Sequence, residues 1–430
     1  MPVTERPNIV LCVFDSLSAA GGGIPETSIE LSALPKLYSN GACFNRTYTP
    51  CPESSPARAS LFTGLDPSVH GLWSNGVTLP EHEQTFAQRL AHAGYSNYLA
   101  GRYQLSGVSR WTTEQARRGE FSQMDWAHGP LHRSRQNAYL AWLKKASPKH
   151  YSQLFSDQAD PNNTELMHQQ RDALNALPDS LSFNHWVGQS VGEWIESQSR
   201  DQPILAIAGF SVGDRLGTEP HPATDVEHLN EQALQQADGA IGHIMERLQS
   251  SNRLHDTVVI VTAARGNIES PGAENVLNEK AIRVPLIVHG EAFTSQTIDS
   301  VVSTIDIAPT VLAIANVPCG PRMQGESILG LFDGESTARD WSLSRIRQNL
   351  SSGERNWQTA LVSRNMKLVV DHGKPPAETT KLFNLETDPL EQNNLAGLDS
   401  HAPQVEQLLD QMIDARCALE DRTEPRIAEF

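Results

Sequence analysis

The chain has 430 residues and a formal net charge of −17 with histidine neutral. Apolar residues make up 39 % and charged residues 20 %, the composition of a globular protein with room for a sizeable core and two unequal domains. The acidic balance excludes a nucleic-acid partner, because phosphate backbones are held by clustered Lys and Arg. A small anionic ligand stays open, since a few local arginines outweigh the global sign.

The segment Met1–Pro7 is polar, and the apolar run Ile9–Phe14 is too short for a signal peptide or a membrane span. Five cysteines (Cys12, Cys43, Cys51, Cys319, Cys417) are odd in number, scattered and without metal-ligand spacing. Free thiols and a cytoplasmic location are therefore expected.

Asn8–Phe14 reads as a strand buried on both faces. Leu31–Asn40 suits a short helix ending before Gly41. Pro56 falls at a plausible first helical position and Gly64 at a stop. Ser54 and Ser55 are then expected just before a helix N-terminus, where backbone N–H groups and the dipole favour an anion. Thr85–Ala93 reads as helix and Tyr95–Ala100 as strand. Ile204–Phe210, Thr257–Thr262 and Val284–Val288 are three more buried-strand runs, separated by helical patterns at Val187–Ser197 and Leu229–Leu248. Ala308–Ala315 reads as another helix. Alternating strands and helices predict an α/β fold, a large, mostly parallel sheet sandwiched by helices.

The stretch from about 107 to 179 is polar and poorly periodic, and is expected as an insertion with some helix. After residue 334 short strand-like runs at Ala360–Ser363, Lys367–Asp371 and Leu382–Leu385 precede a helix at Gln404–Leu419. The expected division is an α/β domain over 1–334 and a small C-terminal α+β subdomain over 335–430.

Several stretches together resemble the sulfatases of the alkaline-phosphatase-like superfamily. They begin with Arg6-Pro-Asn-Ile-Val leading to Phe14-Asp15-Ser16, and continue with Asn40-Gly-Ala-Cys-Phe-Asn-Arg-Thr-Tyr48. Next come Ser54-Ser-Pro-Ala-Arg58-Ala-Ser-Leu-Phe-Thr-Gly64 and His70-Gly71, and later Ala281-Ile-Arg-Val-Pro-Leu-Ile287. Ser303-Thr-Ile-Asp-Ile-Ala-Pro-Thr310, Met323-Gln-Gly-Glu-Ser327 and Leu382-Phe-Asn-Leu-Glu-Thr-Asp-Pro389 complete the pattern. The resemblance implies an alkaline-phosphatase-like sheet and ester hydrolysis by a nucleophile in a Cys/Ser-x-Pro-x-Arg pattern. That pattern falls on Ser54 to Arg58, with Ser54 as nucleophile, either as serine or as formylglycine, and Arg58 as its fixed cation. Cys51 lies out of register.

Other positions depart from the family. Its paired aspartates after the first strand become Asp15 and Ser16. Its Asp-His step after a later strand becomes Ala264-Arg265, leaving Asp15, with Asn267 as a possible second donor, for a metal. Its Gly-Lys-Trp-His stretch becomes Gly101-Arg102-Tyr103-Gln104, and Gln104 cannot donate a proton as His can. Its Pro-His step falls on Gly213-Asp214 and its later lysine on Glu274.

Three readings follow. In the first, the metal site is degraded, no cofactor is expected, and Arg58, Arg102 and Arg265 bind a small sulfate- or phosphate-like ligand, with Gln104, Asp214 and Glu274 around it. In the second, Ser54 acts in a rebuilt ester-hydrolase site holding Ca2+, Mg2+ or Mn2+, with His70, His221 and Glu274 recruited. In the third, the chain is a non-catalytic assembly partner.

Overall fold

A computed structural model describes residues 6–20, 29–108, 113–132, 134–155, 170, 172–212, 223–267, 276–334, 339–349, 355–373 and 379–419. Its centre is strand β1 (Asn8–Ser16), all nine residues of which are buried. Val10, Cys12 and Phe14 enter one core, and Ile9, Leu11 and Val13 enter the other. This is how a continuous apolar run becomes a strand covered on both faces, because alternate side chains point to opposite sides of a sheet.

Eight further strands join it: β2 (Ala42–Tyr48), β3 (Ser96–Gly101), β4 (Gln123–Trp126), β5 (Ile204–Phe210), β6 (Thr257–Arg265), β7 (Arg283–Val284), β8 (Leu286–His289) and β9 (Gln296–Ser303). The order is β4-β3-β5-β1-β6-β8-β2-β7, with β9 on β2. The strands from β4 to β6 run parallel, whereas β8 is antiparallel to β6. The first core is closed by helices Phe183–Ser197 and Ala223–Ser250, the second by helices Ser54–Thr63, Phe86–His92 and Ile307–Ile314. The doubly covered, mostly parallel sheet expected from the sequence is therefore the observed one.

A second sheet of four antiparallel strands follows: β10 (Trp341–Asn349), β11 (Arg355–Ser363), β12 (Met366–Asp371) and β13 (Thr380–Asn384). Helix Ala402–Ala418 packs Leu408, Met412 and Ala415 on its Leu343, Leu361, Leu368 and Leu382.

Some elements differ from the sequence reading. The polar stretch after residue 107 contributes β4, whose pairing with β3 extends the main sheet. Its Gln123, Met124 and Asp125 are not fully buried, so no apolar run marks it. β2, β9 and β10 were likewise not expected as strands. In β9 and β10 polar residues are interspersed with apolar ones, and these strands lie near the rim of their sheets. Gly41 does end its helix, but in extended backbone; a Cβ there would stand 2.8 Å from both Leu37 O and Val288 O, so close approach explains the glycine. Gly64 caps its helix in the left-handed region, as expected.

The two sheets share a buried ion network. Lys367 of β12, fully buried, meets Glu279 Oε1 at 3.0 Å and Glu391 Oε1 at 2.8 Å. Tyr48 of β2 donates to Glu279 Oε2 at 3.1 Å, and Arg283 approaches the same oxygen at 3.5 Å. Removing one partner leaves buried carboxylates uncompensated. Lys367→Met is expected to cost about 3–5 kcal/mol of unfolding free energy, read from denaturant midpoints.

Candidate functional site

The parallel strands end together, and their C-terminal ends carry the polar residues. This edge is where α/β sheets bind ligands. β1 ends in Asp15 and Ser16, β6 ends in Arg265, and Ser16 pairs in register with Arg265. Arg102 follows β3, where its N–H bonds Gly209 O at 3.1 Å. That seat needs two glycines. A Cβ on Gly101, at φ +93°, would meet Gly209 O at 2.3 Å, and one on Gly209 would meet Arg102 O at 2.3 Å.

Helix Ser54–Thr63 points its N-terminus at the same place. Ser54 and Ser55 are its first two residues, with Glu53 at the N-cap. This corrects the expectation that both serines precede the helix. Pro56 is tolerated in this first turn because the N–H it lacks has no intrahelical partner there. All ten residues of the helix are buried, so the turn is held by the core as well as by its caps. Asn75 Oδ1 takes the Ser55 N–H at 2.9 Å, and Glu53 Oε2 takes the Asn75 N–H at 3.2 Å.

Three guanidinium groups converge on the Asp15 carboxylate. Arg102 Nη1 lies 3.1 Å and Arg265 Nη2 3.9 Å from Oδ2, and Arg58 Nη2 lies 3.6 Å from Oδ1. Arg58 also donates to Arg102 O at 3.3 Å. Arg265 spans the pocket: its Nε donates to Ser54 Oγ at 3.1 Å and its Nη1 to Ser16 Oγ at 3.3 Å. Ser16 Oγ in turn lies 2.7 Å from Gly266 O and 2.9 Å from Asn267 Oδ1. Asp15, Ser54, Arg58 and Arg102 are each at most 5 % exposed, while the Arg265 side chain keeps 15 % of its surface. Arg265 is thus the most exposed of the three arginines.

The charges are unequal. Burial alone would raise the Asp15 carboxyl, but Arg102, Arg265, Arg58 and His128 outweigh it and hold it down at about 2. Burial pushes Arg58 down to about 10, which leaves it charged at neutral pH. Among the described residues, three guanidiniums around Asp15 place positive charge beside the Ser54 hydroxyl and a helix N-terminus. Such an arrangement attracts an anion with several oxygens.

The remaining expected residues divide. Gln104 is buried in the left-handed region at φ +60°, with its N–H on Glu114 Oε2 at 2.8 Å and its Oε1 without a hydrogen-bond partner. Among the described residues no hydrogen bond joins it to Ser54 or the arginines. Asp214, His221 and Glu274 lie outside the described residues.

His70, considered for recruitment, is structural. Its Nε2 is 2.9 Å from Ser60 Oγ, and its Nδ1 accepts from Leu72 N–H at 3.1 Å. Burial holds it at about 3. The unfolded chain takes up this proton near pH 6.5 and the folded chain only near 3. His70 therefore contributes stability that is full above 6.5 and is lost as pH falls through that window. Between pH 7 and 5 the loss is about 2 kcal/mol, and His70→Asn should lose that much less in urea titrations at the two pH values.

Two contributors escaped the sequence reading. His128, two residues past β4, adds to the field on Asp15. Its ring lies 5.4 Å from that of His132 and 6.4 Å from that of Trp126. Glu114 accepts the N–H groups of Gln104, Leu105 and Ser106 and that of the Trp126 indole, which fixes the backbone after Arg102. Both fall in the stretch read as insertion. Only the pairing of β4 with β3 brings that stretch to the site.

The fold is that of an α/β protein whose strand ends gather Asp15, Ser54, Arg58, Arg102 and Arg265. Residues 7–317 match the sulfatase family model, and residues 274–418 match that of the N-sulphoglucosamine sulphohydrolase C-terminal region. The chain belongs to the sulfatase family. It is 22 % identical over 441 residues to arylsulfatase K of Xenopus laevis, covering 92 % of this chain and 80 % of that protein. It is 23 % identical over 414 residues to an ulvan-active sulfatase of Formosa agariphila, covering 91 % and 77 %. The phosphonate monoester hydrolase structure from Agrobacterium radiobacter superposes with a TM-score of 0.75 at 18 % identity, covering 97 % of each chain.

Sulfatases generally depend on a divalent cation, and the described donors here do not fit one. The single carboxylate, Asp15, already faces three guanidiniums. Ala264 offers no side-chain ligand atom, and Asn267 Oδ1 lies against Ser16 rather than Asp15. The Arg265 guanidinium bridges Asp15 and Ser54, the space between the two oxygen donors that a hard cation would need to share. A dication there would be repelled by the three guanidiniums, and a buried site screens that repulsion little.

Proposed function

We propose that this sulfatase-family chain binds a small sulfate- or phosphate-like group at Ser54 without hydrolysing it by the metal-assisted route. The observation that carries the reading is the Arg265 guanidinium, which touches both Asp15 and Ser54 and does the electrostatic work of a cation. Guanidinium groups hold oxyanions through paired N–H donors, but they neither ionise a serine nor polarise an ester as a dication does. Arg58, Arg102 and the Ser54–Thr63 N-terminus complete the cradle. Asp214 and Glu274 are proposed neighbours on sequence grounds alone. The odd number and scattered placement of the five cysteines support a reducing, cytoplasmic setting.

The test pairs binding with turnover. Inorganic sulfate and phosphate should bind saturably with or without chelator. Aryl sulfates, phosphates and phosphonates should be turned over no faster than by the Ser54→Ala variant. Turnover that needs Ser54 and is stimulated by Ca2+, Mg2+ or Mn2+ would overturn this reading.

The second reading, an ester hydrolase, is favoured by one contact. The Arg265 Nε donates to the Ser54 hydroxyl, and a donor there stabilises an alkoxide over the alcohol. It predicts ester cleavage that a divalent cation stimulates and Ser54→Ala abolishes.

A further inference from the structure

The face of the four-stranded sheet beneath helix Ala402–Ala418 changes character along its length. Its cross-strand pairs on β10 and β11 are Leu343 with Leu361, Arg345 with Thr359, and Arg347 with Trp357. The leucines pack under Leu408, Met412 and Ala415. Near the end of the helix, at Arg416, the leucines give way to cations. There a cavity of about 240 Å³ is lined by Arg345, Arg347, Arg416, His372, Trp357 and Thr359.

Its donors are held in place but not used up. Arg345 is 7 % exposed; its Nη2 meets Asp66 and, at 3.1 Å, Ser68 Oγ, while its Nε is buried without a hydrogen-bond partner. The Arg347 guanidinium lies over two indoles, 4.6 Å from the Trp73 ring and 5.6 Å from the Trp357 ring, which orients it without consuming its N–H groups. Among the described residues neither Arg347 nor Arg416 forms an ion pair. The cations repel one another: burial, then Arg416 and Arg347, push Arg345 down to about 10. His372 is held by Thr359 Oγ1, 2.9 Å from its Nε2. In a chain of net charge −17, such a concentration of under-neutralised arginine calls for a counter-charge.

We propose that this cavity is a second anion site, separate from the Ser54 pocket, that takes one tetrahedral oxyanion, a sulfate or phosphate group. Guanidiniums arriving from two strand positions and a helix end suit an anion with three or more oxygens better than a two-oxygen carboxylate. The volume lies below the roughly 300 Å³ at which drug-sized ligand pockets begin, so the cavity takes a single group. Trp357 offers a flat wall to whatever carries that group.

Equilibrium dialysis of the full chain against radiolabelled inorganic sulfate at low ionic strength counts the sites. Two equivalents are expected for the wild type and one for the Arg347→Gln/Arg416→Gln variant. Both of these side chains are exposed, outside the packed core, so the variant should keep the fold. Phenyl sulfate competing for the second equivalent assigns it to an ester-borne group, and competition by inorganic phosphate alone assigns it to the free ion. A double variant that binds as much sulfate as the wild type, equally tightly, would overturn the proposal. Loss of the other equivalent in Arg265→Ala reads the Ser54 pocket independently, so failure of either site is seen apart from the other.

Discussion

Asp15→Ala is expected to be the most destabilising substitution at the site and, at the same time, to tighten anion binding. Asp15 is the carboxylate that Arg58, Arg102 and Arg265 share. Removing one member of a buried charge group leaves the others uncompensated, at a cost of about 3–5 kcal/mol in anion-free buffer. An oxyanion entering the pocket then replaces the lost counter-charge. Because only the folded state binds it, stability should recover with ligand concentration, by about 2.7 kcal/mol at a hundred times Kd. Urea titrations in sulfate and in chloride at matched ionic strength measure this. The wild type corrects for the general stabilising effect of sulfate. Equal sulfate effects in variant and wild type would mean that the arginines do not hold an anion.

Arg265→Ala should do the reverse. Asp15 keeps Arg58 and Arg102, so the fold is retained and the denaturation midpoint moves little. Ser54 loses its donor, and affinity for inorganic sulfate should fall roughly 10- to 100-fold, the value of one or two charge-assisted hydrogen bonds. Arg265→Lys should recover only part of this, since an ammonium cannot bridge Asp15, Ser16 and Ser54 with one planar group. Calorimetric titration of the two variants checks the pair. An unchanged affinity in Arg265→Ala would remove the basis for treating this guanidinium as the substitute cation.

Much of this architecture was legible in the residue order. Strands buried on both faces, such as Asn8–Ser16 and Ile204–Phe210, are uninterrupted apolar runs, and a long apolar run needs no partner to be recognised. The Ser54-x-Pro-x-Arg58 pattern marked the helix that faces the strand ends. Ser16 and Arg265 marked two further positions that meet at that edge. Strands without a continuous apolar run were not legible, because β4, β9 and β10 mix polar and apolar residues as surface loops also do.

The sequence by itself determined the fully buried strands, their helical cover and the candidate set of Asp15, Ser54, Arg58, Arg102 and Arg265, because burial periodicity and residue type are local properties. Only the tertiary structure decided which charges meet. That Arg58, Arg102 and Arg265 all reach Asp15 depends on four segments ending at one edge. That His128 joins them depends on β4 pairing with β3. That Arg345, Arg347 and Arg416 line one cavity depends on where a helix stops above a sheet. Electrostatic partners are set by distance in space, and residues such as Asp15 and Arg265 lie 250 positions apart in the chain.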